Sequence, residues 1–236
     1  MRISLLLLLV WCAGLPFISI GLSQETGEKT APPPIVIPEF QRYQVSVRVA
    51  LSPELRLNAL GKQRLIDQIQ AANRRFWGGC WEVGVVHEDR LQPPTARHLS
   101  DFTVEDVLAF ESDLRLDKIF LVVVEPHRNS WRICSRELDR RSRLLSSLKS
   151  LDAADVREIP DLAARLCSEL FRPIIRIEDV AGKTVYARLI GGALIPPDPN
   201  LTLATAGSLW LPLSRSIPSR EMPDERVQLV PWTYLR

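Results

Sequence analysis

The side chains of this chain best suited to covalent or metal chemistry are its three histidines and four cysteines. Cys80 follows Gly78-Gly79, where backbone amides could face a developing oxyanion, and a thiol there needs a base that His87, His98 or His127 would supply. The glycine pair also has a plainer use: it ends a helix and turns into a strand, where glycine takes left-handed angles without steric cost. There is neither a Gly-x-Ser-x-Gly elbow nor a His-Glu-x-x-His helix, and Gly191-Gly192 lacks the surroundings of a phosphate loop. His87-Glu88-Asp89 places an imidazole beside two carboxylates. No downstream ligand cluster completes that group, so neither a metal nor a cofactor is expected. Catalysis through Cys80 with His87 or His98 remains the enzymatic alternative to a chain without chemistry of its own.

Binding chemistry has two candidates. Arg132, Arg136, Arg140, Arg141 and Arg143 form a basic cluster, and Arg136, Arg140 and Arg141 are the residues to watch for an anionic cell-surface polymer. Glu137 and Asp139 interrupt the cluster, and a solvated face is the plainer use. Trp77 and Trp81 flank the glycine turn, whereas Trp131, Trp210 and Trp232 fall in strand candidates. Core packing is the expected fate of such rings, and Trp77 is the best candidate among them for exposure to a ligand.

These residues must be positioned by a globular body: 46% of the 236 residues are hydrophobic and 25% charged, enough for a sizeable core. Ahead of it, Arg2 precedes an apolar run from Ile3 to Leu22, and Gly21-Leu22-Ser23 offers a small-x-small cleavage site before Gln24. The run approaches the roughly 20 apolar residues of a spanning helix, but Gly14, Pro16 and Gly21 weaken it. Residues 1–23 therefore read as a signal peptide and the chain as exported, periplasmic or extracellular; an uncleaved anchor at residues 3–22 is the alternative and the only expected link to a membrane. Cys12 follows Val10-Trp11 instead of the small residues of a lipoprotein signal. Removing residues 1–23 takes away Arg2 and no acid, leaving 29 bases against 28 acids, which gives no reason to expect nucleic acid as a partner. Cys80, Cys134 and Cys167 then remain, an odd set that permits at most one internal disulfide, with Cys80–Cys134 the candidate and buried thiols the plainer reading.

Residues 24–41, with three consecutive prolines at 32–34, read as a disordered tether. The body that follows is mixed α/β. Tyr43, Val45, Val47 and Val49 alternate with polar residues as in a half-buried strand. Ser52-Pro53-Glu54 is expected to open a helix running to Phe76, and Cys80–Val86 is a second strand, so a parallel strand-helix-strand unit is the default topology. A helix over Asp101–Asp113 comes next, then Lys118–Glu125, apolar on both faces like a central strand, and a hairpin partner over Trp131–Leu138. Ile159-Pro160-Asp161 starts a helix that reaches Phe171. Beyond it lie strand candidates at Ile174–Val180, Thr184–Ile190, Leu209–Arg215 and Val227–Leu235, expected to make a small β-barrel or β-sandwich. The expected domains are thus an α/β domain over 42–172 and a β-rich one over 173–236, whose strand-like end fits either a truncated product or a terminus docked as a strand.

Three segments, Phe76–Val83, Ser135–Arg141 and Gly191–Pro199, resemble exported proteins of unknown function from planctomycete-type bacteria. Members of that group are longer and imply no catalytic residue. The order of elements is also similar to the strand-helix-strand modules of periplasmic envelope proteins, the TolB N-terminal type. Together these features lead to the expectation of a non-enzymatic envelope binding or assembly module whose partner is an envelope protein or polymer.

Overall fold

β1 (Tyr43–Leu51) lies in the middle of a six-stranded sheet, and everything else about the fold follows from what pairs with it. This computed structural model describes residues 37–110, 115–198, 200–216, 227–230 and 233–235; the segment read as a signal peptide, most of the proline-rich stretch and Trp232 lie outside the described residues. All of the described residues belong to one compact unit, Val36–Arg236. Of the stretch read as a tether, Pro38–Phe40 forms a 3-10 turn whose Pro38 and Glu39 carbonyls accept from the amides of Gly191 and Ala193.

The helix expected from Ser52 forms only a single 3-10 turn, Pro53–Leu55, because Arg56 takes a left-handed backbone angle, φ 50°, and breaks it. The helix then restarts as α1 (Ala59–Trp77), where the Asn58 side chain accepts from the Gly61 amide at 2.8 Å. β2 (Trp81–His87) runs parallel to β1, as expected of the strand-helix-strand unit. Gly78 and Gly79 are needed for space, not for left-handed angles. Gly78 is right-handed, and a Cβ on either glycine would strike a backbone carbonyl, that of Arg74 or that of Ile195.

Of the helix expected over 101–113, the described residues form only α3 (Val104–Leu108), and it is preceded by α2 (Ala96–Asp101), a short helix that the sequence does not suggest. Phe102 is extended between them, and Thr103 with Asp106 makes a reciprocal capping box that starts α3. β3 (Lys118–His127) pairs parallel to β1 and antiparallel to β4 (Ser130–Asp139), so the anticipated central strand and hairpin are present. The outer edge of β4 is covered in two pieces, by β5 (Leu144–Leu145) and β6 (Lys149–Ala153), both in a stretch for which the sequence suggests no strand. The sheet order is β2-β1-β3-β4-β5, with β6 also on β4.

α4 (Ile159–Leu170) packs beside α1 on one face of the sheet, over Val45, Val47, Val49, Phe120, Val122 and Val124. The other face buries Ile119, Leu121 and Val123 under Leu99 of α2 and Val107 of α3. β3 thus has both sides covered, which is why its apolar run is continuous.

After α4 come two separate antiparallel ribbons: β7 (Ile175–Ala181) with β8 (Thr184–Leu189), turning at Gly182 with φ 61°, and β9 (Leu213–Arg215) with β10 (Val227–Leu229). Trp210 and Leu235 add an isolated bridge. The expected barrel or sandwich does not form among the described residues. The ribbons are not paired with each other, and strands of three residues cannot close a sheet.

Candidate functional site

Cys80 sits at the N-terminal end of β2, fully buried, and its thiol donates to the Leu194 carbonyl at 3.5 Å. Burial pushes that thiol up, away from the reactive thiolate. His87 ends the same strand, about 20 Å away at roughly 3.3 Å per residue, and its Nε2 lies 3.2 Å from Asp89. His98 stands in α2, edge-on to Phe102 with ring centres 5.0 Å apart, and its Nε2 is buried without a partner. The structure thus keeps Cys80 and His87 apart. Glu88, the middle member of the His87-Glu88-Asp89 group, is engaged with Arg90: burial would raise its carboxyl, but hydrogen bonds from Arg90 outweigh that and hold it below the usual range. Among the described residues no three metal-ligating side chains converge. Cys80, Cys134 and Cys167 are all free; burial, aided by Glu125, pushes Cys134 to about 12.

The arginines do not make one open face. Arg136 donates to the carbonyls of Leu99, Ser100, Phe102 and Ser146, clamping the end of α2 onto β4. Arg132 pairs with Asp152 at 2.9 Å, and Arg141 with Asp117 at 2.6 Å. The Arg140 amide donates to the Asp117 carbonyl, which holds the turn after β4 against the start of β3. Trp77, the best candidate for exposure among the tryptophans, is 3% exposed and packs in the core. Its ring stacks on Trp81 at 4.9 Å, and its Nε1 donates to Ser168 on α4 at 2.8 Å. The correction has a simple cause: α1 and α4 lie side by side, and Trp77 closes the end of their seam.

One charged cluster escapes a reading of the sequence. Lys118, the first residue of β3, is fully buried, with its ammonium 2.8 Å from Glu137 and bonded to Asp139 and to the Arg172 carbonyl. The Phe171 ring lies 5.2 Å from the charge, and Glu137 also accepts from the Arg172 amide at 3.3 Å. Nearby, the buried Tyr43 hydroxyl accepts from the Ile174 amide at 3.0 Å. The Lys118 pairs with Glu137 and Asp139 tie β3 to β4, while the bonds to Arg172 and Ile174 fasten the segment between α4 and β7 to the sheet, so the cluster anchors the first ribbon. The only signal for it is the cross-strand register of Lys118 with Asp139, which local periodicity does not reveal.

What the anchored segment presents is apolar. Of the fourteen large hydrophobic residues that stand exposed among the described residues, ten lie between Ile177 and Tyr234, with Ile195 at 84% and Leu211 at 71%. Leu213 and Leu229 are direct cross-strand partners and so share a face, while Leu209 and Leu211 precede them at period two. On the first ribbon Ile177, Val180 and Tyr186 are exposed. A two-stranded ribbon with neither face covered is marginally stable in water. This surface is the strongest candidate for function.

No family model and no curated protein matches the chain. Among solved structures it is similar to TolB from Acinetobacter baumannii, at 9% identity and a TM-score of 0.31, over 79% of this chain and 49% of that one. The chain spans about half the length of that TolB chain, and a likeness at this level carries no argument. The resemblance to planctomycete-type proteins finds no support in these comparisons.

Proposed function

We propose that the chain is an exported, non-enzymatic binding or assembly module of the cell envelope, and that its C-terminal ribbons receive a protein partner. The concentration of exposed apolar residues between Ile177 and Tyr234 carries the reading. Exposed apolar surface on a protein in water is favourably covered, and aliphatic and aromatic side chains form the centres of protein interfaces. The leader-like residues 1–23 support the location. Among the described residues no helix is long and apolar enough to cross a membrane.

The location is tested by expressing the chain in a Gram-negative host, fractionating the cells and reading the product's mass and N-terminus. A periplasmic product beginning at Gln24 is expected, and a cytosolic full-length product would overturn export. The surface is tested with a photo-cross-linking residue at Leu211 or, as control, at Leu60 on the helical side. A discrete protein adduct at Leu211 alone, lost when Leu209 and Leu213 become serine, is expected. Equal labelling at both positions, or none at Leu211, would overturn the ribbon surface as the docking site.

A further inference from the structure

The chain leaves β1 toward β2 and leaves β3 toward β4, so the connections at the C-terminal ends of these two neighbouring parallel strands diverge. In open α/β sheets such a point of divergence leaves a crevice outside the carboxyl ends of the strands, and ligands bind there. In this protein the crevice is a cavity of about 360 Å³. Its walls are Glu54 and Arg56, which follow β1, Pro126 of β3, Arg128 and Asn129 of the β3–β4 turn, and Ser130 and Trp131 at the start of β4. It lies on the opposite side of the sheet from the Lys118 cluster along the strand direction, and the ribbon surface takes no part in its lining.

We infer that this crevice is a binding site for an acidic saccharide, a sugar ring bearing a carboxylate or an equivalent anionic group. Three features argue for that chemistry. The lining carries two guanidinium groups against one carboxylate, and among the described residues neither Arg56 nor Arg128 is engaged in an ion pair, unlike Arg132 and Arg141. A planar guanidinium matches the fork of a carboxylate, and two of them select for an anion. Both arginines also hold left-handed backbone angles, φ 50° and φ 55°. That region disfavours a residue with a Cβ by roughly 1–2 kcal/mol, and two arginines at such positions on one cavity fit side chains retained for their heads.

Trp131 supplies the second feature. It is half-buried, packs against the core and also lines the cavity, so a rigid aromatic surface is fixed in the wall. An apolar ring surface beside hydrogen-bonding groups suits a sugar, whose C–H face is apolar and whose rim is hydroxylic. The third feature is that rim chemistry. Asn129 offers an amide and Glu54 a carboxylate, while the Ser130 hydroxyl, which donates to the His127 carbonyl at 2.8 Å, keeps acceptor capacity. Glu54 disfavours a polyphosphate and accepts from hydroxyls.

The full exported chain is titrated with trigalacturonic acid, with its neutral methyl ester and with inorganic phosphate, and binding is followed by calorimetry and by the tryptophan indole NMR signals. The acid is expected to saturate the site and shift one indole signal, which Trp131→Phe removes. Arg56→Gln and Arg128→Gln should each weaken it roughly tenfold, the loss of one charge-assisted pair. Arg128→Gly separates function from folding: it relieves the left-handed angle, so the melting temperature should hold or rise while affinity falls. Equal binding of acid and methyl ester, binding of phosphate as tight as that of the acid, or no saturation at millimolar acid would each overturn the assignment. So would full affinity in Arg128→Gly.

Discussion

Lys118 shows how much depends on a single side chain. Its ammonium lies between Glu137 and Asp139, all three buried. Lys118→Ala leaves two buried carboxylates without their partner and is expected to lower unfolding free energy by about 3–5 kcal/mol, read from urea denaturation. Glu137 sets a pH dependence. Burial holds its carboxyl above the usual range, although Lys118 and the Arg172 amide pull it down, and a proton on Glu137 brings the cluster to charge balance. Because the folded value exceeds the unfolded one, the folded state keeps a proton that the unfolded state releases. The resulting stability is complete below the ordinary carboxylate range and is lost as pH rises through the raised value. Urea melts across that window should show wild type losing stability relative to Glu137→Gln, whose neutral amide does not titrate. A difference that grows in wild type's favour with rising pH would mean that Lys118, not burial, dominates. A smaller effect belongs to Ser168. Ser168→Ala strands the Trp77 Nε1 at the α1–α4 seam and is expected to remove about 1–3 kcal/mol.

At the scale of elements, caps and backbone angles decide where the expected helices begin. Ser52-Pro53-Glu54 has the composition of a helix start, and its side chain does cap, with Ser52 accepting from the Glu54 amide at 3.2 Å. The left-handed Arg56 ends that turn, so Asn58 becomes the start of the long helix. Asn58→Ala is expected to lower unfolding free energy by about 1 kcal/mol in urea denaturation, whereas Ser52→Ala should matter less because it caps only a three-residue turn. The start of α3 was legible, since Thr103 and Asp106 have capping-box spacing, but the apolar spacing of Val104, Val107 and Leu108 reads as a helix from Asp101, and nothing in the spacing suggests α2 ahead of it. β5 and β6 were not legible. Their residues carry little period-two pattern, because the strands are short and much of their surface faces solvent.

At the scale of the whole molecule, a doubly covered sheet carries two ribbons that have little covering of their own. Hydrogen exchange should separate them. Amides of β1 and β3 are expected to exchange only through global unfolding, and those of β7–β10 through local opening at much lower free energy. Similar protection in both regions would show that the ribbons already have enough contacts to stand alone. The sequence by itself determined the mixed α/β class, the parallel strand-helix-strand unit, the covered central strand and its hairpin, and the α4 and β7–β8 segments. Each of these is written in the spacing of apolar residues, turn residues and caps within one short stretch. Only the tertiary structure decided that Trp77 is sealed between helices, that Cys80 and His87 stand at opposite ends of one strand, and that Arg136 is consumed as a clamp. It also decided that Lys118 meets Glu137 and that Arg56 meets Arg128 across a crevice. Those outcomes depend on strand register and on which helices share a face, which bring together residues far apart in the chain and leave no trace in local spacing.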